Sequence, residues 1–202
     1  MHAHSDGRLV EGKPFVERVP EPAAAIRIAR DFDIPSVLPF AYYTLACFPF
    51  GFDWDDYHNP LRSWSLSVQQ LSLARWHMLD VVDMGRVVRG REELMQSMAA
   101  DITWATGDTV EDALASVDED CNGIVSPCSD KAKAIQEQWK QSLSADLWTA
   151  RCPSPLDVLQ RLYKEHSQWH LCEECTGALK RCIRSRQRVT WNRLGYIFGV
   201  NC

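Results

Sequence analysis

The sequence predicts an all-α protein, a helical hairpin packed on an irregular helical bundle. Three observations lead there. Apolar residues recur at i, i+3, i+4, i+7 along most of the chain. Proline and capping residues stand where helices would begin. No stretch shows the period-2 alternation of a half-buried strand with enough clarity to count. The chain has 202 residues, 46% of them apolar and eight of them Trp, which excludes a disordered protein and allows a real core. A net charge of -5 argues against a protein built to coat nucleic acid. No apolar run approaches the roughly 20 residues that span a bilayer, so no membrane partner is expected.

Residues 1–20 form an irregular N-terminal segment in which Met1 to Gly7 lack the basic and apolar regions of a signal peptide. A helical hairpin is expected over 21–48. Pro22 suits a first helical turn, and Ala25, Ile28, Ala29 and Phe32 fall on one face. Ile34-Pro35 breaks that helix, because the residue before proline resists the helical region. The second helix starts near Ser36 and carries Val37, Leu38, Ala41, Tyr42 and Leu45, with Cys47 as a core residue near its end. Residues 49–65 are an aromatic link in which Phe50, Phe52, Trp54, Tyr57 and Trp64 alternate with turn residues. Asp53, Asp55 and Asp56 beside these rings disfavour a nucleic-acid stacking platform.

The remainder, 66–202, reads as a helical C-terminal region. One helix is expected from about Ser65 to Leu79, with Val68, Leu71, Arg75 and Met78 on one side. Asp83 is the expected N-cap of the next, which would bury Met95, Met98, Ala99 and Ile102. Arg86, Arg89 and Arg91 against Glu92 and Glu93 read as a solvated, ion-paired face. Ser126-Pro127 opens a helix running to about Trp148 that turns Ile135, Trp139 and Leu143 inward. Ser154-Pro155-Leu156-Asp157 resembles a capping box before Leu159, Leu162, Tyr163 and His166. Eight acidic residues and no Lys or Arg occupy 101–130, whereas 180–193 holds six basic residues and no acid. Internal pairing of these stretches is preferred over binding of nucleic acid to the basic helix.

Eight Cys without a signal peptide favour metal binding or buried thiols in a reducing compartment, cytoplasmic or nuclear. Cys172 and Cys175, three apart at the start of the last helix, can share one metal. Zinc takes four ligands in a tetrahedron, so a second pair is required. Cys121 and Cys128 are the candidates, with Gly123 permitting the loop between them. The predicted site is a structural Zn2+ held by Cys121, Cys128, Cys172 and Cys175, its charge offset by the Arg-rich helix that follows. The six-residue gap between the first pair exceeds the usual two to four, and four buried, idle thiols are the competing reading. His166 and His170 could replace the first pair. A redox Cys-x-x-Cys expects a βαβ context that is not visible. Cys152 and Cys182 are weaker candidates, and Cys202 reads as an incidental terminal thiol. No nucleophile turn, phosphate loop, His-Glu-x-x-His or carboxylate pair stands out, so no catalytic residues are assigned and an enzyme is not expected.

The stretch Ala25-Ile26-Arg27-Ile28-Ala29-Arg30-Asp31-Phe32-Asp33-Ile34-Pro35-Ser36-Val37-Leu38-Pro39, with Ala41-Tyr42-Tyr43, resembles the helical end of fungal (basidiomycete) BTB/POZ domain-containing proteins. Arg89 to Leu94, Leu171-Cys172-x-x-Cys175, and Val189 to Leu194 with Ile197 to Val200 follow the same order. The resemblance covers roughly residues 21 to 200. It implies that the β-sheet and dimer-forming part of a BTB domain would precede residue 21, so that this chain corresponds to the C-terminal helical region. The expected function is therefore a non-catalytic protein–protein interaction protein with a structural zinc. The alternative is a nucleic-acid-binding regulator using the basic C-terminal helix. Homo-oligomerisation is left open.

Overall fold

The computed structural model describes residues 21–50, 73–107, 109–117, 121, 128–149 and 154–200. Seven α-helices account for most of them, and no strand occurs among the described residues. The all-α class is therefore as expected. Residues 1–20 and most of the aromatic link lie outside the described set, as do Cys152 and Cys202.

Helix α1, Pro22–Asp31, starts on Glu21, whose carboxylate accepts the N–H groups of Ala23 and Ala24 at 3.2 and 2.6 Å. Its C-terminus closes with Asp33 at φ 52°. There the Ile34 N–H reaches Ala29 O at 2.7 Å and the Asp33 N–H reaches Arg30 O at 3.3 Å. These are the two bonds of a Schellman cap, and Asp is one of the few residues that tolerate the left-handed position. The buried stripe is Pro22, Ala23, Ile26 and Ala29, while Ile28 and Phe32 are exposed. The expected face was thus rotated by about one residue. Apolar side chains occupy two neighbouring stripes of this helix, and the one with small Ala residues lets α2 approach closely.

A 3-10 turn, Pro35–Val37, leads into α2, Leu38–Ala46, with Pro39 in its first turn. Val37 is exposed, but every residue from Ala41 to Phe48 is buried, Cys47 included. A helix apolar all round belongs at the centre of a fold. The helix expected over Ser65–Leu79 lies mostly outside the described residues, and its described end is not α-helical. It forms a 3-10 turn, Trp76–Met78, and the Arg75 N–H goes to the Glu21 carboxylate at 2.9 Å rather than to a helical carbonyl.

Helix α3, Val81–Thr106, is capped by Asp80, which accepts the Asp83 N–H at 2.7 Å. The expected cap was three residues late. Asp83 instead points inward, buried against Tyr42. The inner stripe of α3 is Val87, Gly90, Leu94, Met98, Asp101 and Ala105; Met95 is only half-buried and Ala99 is exposed, contrary to expectation. Arg86 and Arg91 both reach the hairpin, Arg86 donating to the Tyr42 hydroxyl at 3.4 Å. Arg86 is 3.7 Å from Asp83, and Arg91 donates to Phe48 O at 2.9 Å.

Then follow α4, Thr109–Ala115, a 3-10 turn, Cys128–Lys131, and α5, Ala132–Thr149. Helix α6, Pro155–Lys164, begins at Ser154, yet the Ser154 hydroxyl donates to the Asp157 carboxylate and caps no backbone group. The Leu156 N–H is taken by the Tyr43 hydroxyl at 3.1 Å, so the expected capping box is replaced by a side chain from α2. A 3-10 turn, Glu165–Gln168, precedes α7, Glu173–Ile197. Gly199, at φ 60°, closes α7 with a second Schellman pair, Val200 N–H to Gly195 O at 2.8 Å and Gly199 N–H to Tyr196 O at 3.1 Å.

Two apolar cores result. The first gathers Ile26, Tyr42, Leu45, Val87, Leu94, Leu194, Ile197 and Phe198. The second gathers Met98, Leu114, Ile135, Trp139, Leu159, Leu162, Leu179 and Ile183. Helices α3 and α7, each of 25 residues or more, run through both in opposite senses. The hairpin α1–α2 therefore has its apolar face completed by the start of α3 and the end of α7.

Gly90 marks a close contact between α3 and the end of α7. A Cβ there would fall 2.0 Å from the Phe198 ring, which is itself buried and stacked on Tyr42 at 5.8 Å. Gly90→Ala is expected to destabilise by about 1–2 kcal/mol, overpacking outweighing the better helix propensity of Ala. In a Phe198→Ala background the same change should become neutral or stabilising. A double-mutant cycle by urea denaturation reads this coupling.

The Tyr42 hydroxyl donates to Asp83, and burial, reinforced by that bond, pushes its pKa up to about 12. The folded value lies above the ordinary phenol value, so this stability is fully present below about pH 10 and is lost as pH rises through 12. Alkaline unfolding of the wild type compared with Tyr42→Phe should show the difference between them shrinking across that window, by on the order of 2 kcal/mol.

Candidate metal centre

Three separate segments bring four thiols to one point. Cys121 lies between α4 and the 3-10 turn, Cys128 opens that turn, and Cys172 and Cys175 sit at the N-cap and third position of α7. Their four sulfurs all lie within 4.8 Å of one another. Cys121 Sγ is 4.0 Å from Cys172 Sγ and 3.8 Å from Cys175 Sγ. Tetrahedral zinc with bonds of about 2.3 Å separates its sulfurs by about 3.8 Å. The Cys172 N–H points at Cys128 Sγ at 3.4 Å, the kind of outer bond that supports a metal-bound thiolate. These four cysteines can hold a metal ion. Among the described residues no other group of His, Cys, Asp or Glu does so.

The site is set at the edge of the second core. Cys128 and Cys175 are buried within it, and Cys121 and Cys172 are partly buried against it. Burial pushes the Cys128 thiol above its ordinary pKa. Burial, with the three neighbouring thiols adding to it, pushes Cys175 further up. A reactive cysteine needs the opposite shift, so these thiols are poorly suited to nucleophilic work. A metal would displace their protons instead.

The basic part of α7 begins close to the site: Lys180 and Arg181 lie about 7 to 9 Å of helix axis beyond Cys175, within the screening length, and the Arg181 guanidinium folds back beside Gly177. The later members, Arg184, Arg186, Arg188 and Arg193, lie about 13 to 27 Å further along α7 than Cys175 and contribute less. The positive end of the α7 dipole lies at Cys172 and Cys175 themselves and is the nearer source of stabilisation. Lys131, in the turn that Cys128 opens, donates to His170 O and ties the two halves of the site together. The two histidines do not join the cluster. His166 Nδ1 lies 3.2 Å from Tyr163 O, and His170 is exposed at φ 52°. Cys182 packs against the second core from α7, away from the four, and burial pushes its thiol up as well.

Part of the charge asymmetry is resolved internally. Buried Asp101 accepts from Arg186 at 2.5 Å, although burial outweighs this pairing and raises the Asp101 pKa. Arg184 donates to the Tyr163 hydroxyl at 2.5 Å and, with Lys180, lies over the Tyr163 ring. Beside the cysteines, Trp104, Trp139, Trp169 and His166 form a continuous series of ring contacts, with centroids 5.7 to 6.3 Å apart. Of this series, the sequence reading had assigned only Trp139 and His166 to inner faces. No helix among the described residues is long and apolar enough to cross a membrane. No family model, curated protein or solved structure matches the chain.

Proposed function

We propose that the chain is a non-catalytic protein–protein interaction protein whose second core is stapled by one structural zinc at Cys121, Cys128, Cys172 and Cys175. The convergence of four thiols from three segments, at separations suited to tetrahedral sulfur coordination, carries this reading. Four protein ligands leave no open position, which suits a structural rather than a catalytic metal. A thiolate site of this kind belongs in a reducing compartment, cytoplasmic or nuclear. The resemblance to the C-terminal helical region of fungal BTB proteins supports the interaction class, and the exposed aromatic residues of α7 agree with it. The alternative of a nucleic-acid regulator gains little from α7, because Arg186 is bound to Asp101 and Arg184 to Tyr163.

Native mass spectrometry of protein purified without added metal tests the zinc. One zinc per chain, lost to a strong chelator, is the expected result. A metal-free chain with unchanged helical signal would reduce the four cysteines to core residues.

A further inference from the structure

We infer that the groove between α2, α6 and the C-terminal third of α7 docks a short segment of another protein that carries apolar anchors at one end and acidic residues at the other. The inference rests on the interaction reading above and gives it a site and a partner chemistry. Two clefts, of about 590 and 580 Å³, lie side by side and share Phe40 and Trp191 as the ridge between them. The first is floored by Tyr43 and Leu156, and the second runs along Pro39 to Tyr196. Trp191 is 51% exposed and Tyr196 79%, although Trp191 is already positioned by the Phe40 ring at 5.6 Å. A large exposed ring held in place beside apolar volume, as Trp191 is, is the kind of anchor from which binding hot spots are made.

The charge around the groove is one-sided. Lys164 and Arg188 edge the first cleft, and neither makes an ion pair among the described residues. The single carboxylate there, Asp157, is occupied by the Ser154 hydroxyl. The second cleft carries no charged residue. An occupant would therefore lie along α7 with its apolar part beside Tyr196 and its acidic end beside Lys164 and Arg188. Gln187 to Tyr196 span about 14 Å of helix axis, enough for about ten residues of helix. A nucleic-acid backbone would meet an apolar floor and Asp157, which suit it poorly.

Random 12-residue peptides displayed on phage and selected on the full chain test the inference. The expected set shares two apolar anchors flanked on one side by Asp or Glu. Peptides from it should bind Trp191→Ala at least about 30-fold more weakly and Arg188→Glu about 10-fold more weakly. Replacing the acidic residues of the peptide by Lys should restore binding to Arg188→Glu. Both substitutions are at exposed positions, and unchanged circular dichroism would show that the fold is kept. Failure to select any peptide, or selection of peptides that bind Trp191→Ala undiminished, overturns the groove assignment. In the second case the chain still binds protein segments through another surface, and the interaction reading stands. A dimer detected by light scattering and dispersed by Trp191→Ala would give the groove to a second copy and equally overturn the inference.

Discussion

Chelation of the zinc-loaded protein is expected to unfold at least the second core, with loss of a large part of the helical circular dichroism signal. Structural zinc in small thiolate sites contributes apparent binding free energies of about 10–16 kcal/mol. Whole domains have only about 5–15 kcal/mol of stability. Among the described residues, the thiols and the Lys131 bond to His170 O are the polar links between the Cys128 turn and the segment leading into α7, and a single ammonium bond replaces a four-thiolate metal poorly. Cys175→Ser should reproduce the effect of the chelator, because Cys175 is both a central sulfur of the set and a buried member of the core. Were the thiols only core residues, the same substitution would cost about 1–2 kcal/mol and chelator would do nothing.

Asp83→Ala is expected to cost about 3–4 kcal/mol, measured by urea denaturation at neutral pH. The Asp83 carboxylate is buried, accepts from the Tyr42 hydroxyl and from Arg30 at 2.8 Å, and lies 3.7 Å from Arg86. Its removal leaves the Tyr42 hydroxyl buried without its acceptor, takes a carboxylate from Arg86, and leaves Arg30, the guanidinium that joins α1 to α3, with Asp80 alone. Removing one partner of a buried charged set costs about 3–5 kcal/mol. The lower half of that range applies because Arg30 and Arg86 are partly exposed and screened. Arg30→Ala should cost less, since Asp83 would keep Tyr42 and Arg86.

Much of this architecture was legible in the sequence where a residue type has one physical use. Pro22, Pro39 and Pro155 marked helix starts because a missing N–H is tolerated only there. The Cys spacing located the thiol cluster because few other arrangements make use of two such pairs. Legibility failed where two residues could serve one purpose. Asp80 and Asp83 are equally good caps on paper, and only the tertiary position of Tyr42 decides which one turns inward. Ile28 and Ile26 are equally apolar, and the choice between them depends on how closely α2 must approach. The groove was missed because neither Phe40 nor Trp191 carries any local mark of exposure. The only available signal was a Trp standing among the Arg and Asn of a basic helix.

The first core also has a consequence for how the protein is made. Tyr42, Leu45 and Phe48 emerge from the ribosome long before Leu194, Ile197 and Phe198, which pack with them in the same core. A nascent chain must therefore carry an incompletely covered aromatic helix while the long stretch from α2 to the end of α7 is made. Contacts of such long sequence separation form slowly, and exposed apolar surface invites association meanwhile. Yield in the cell should respond to chaperone supply more strongly than the stability of the finished fold would suggest.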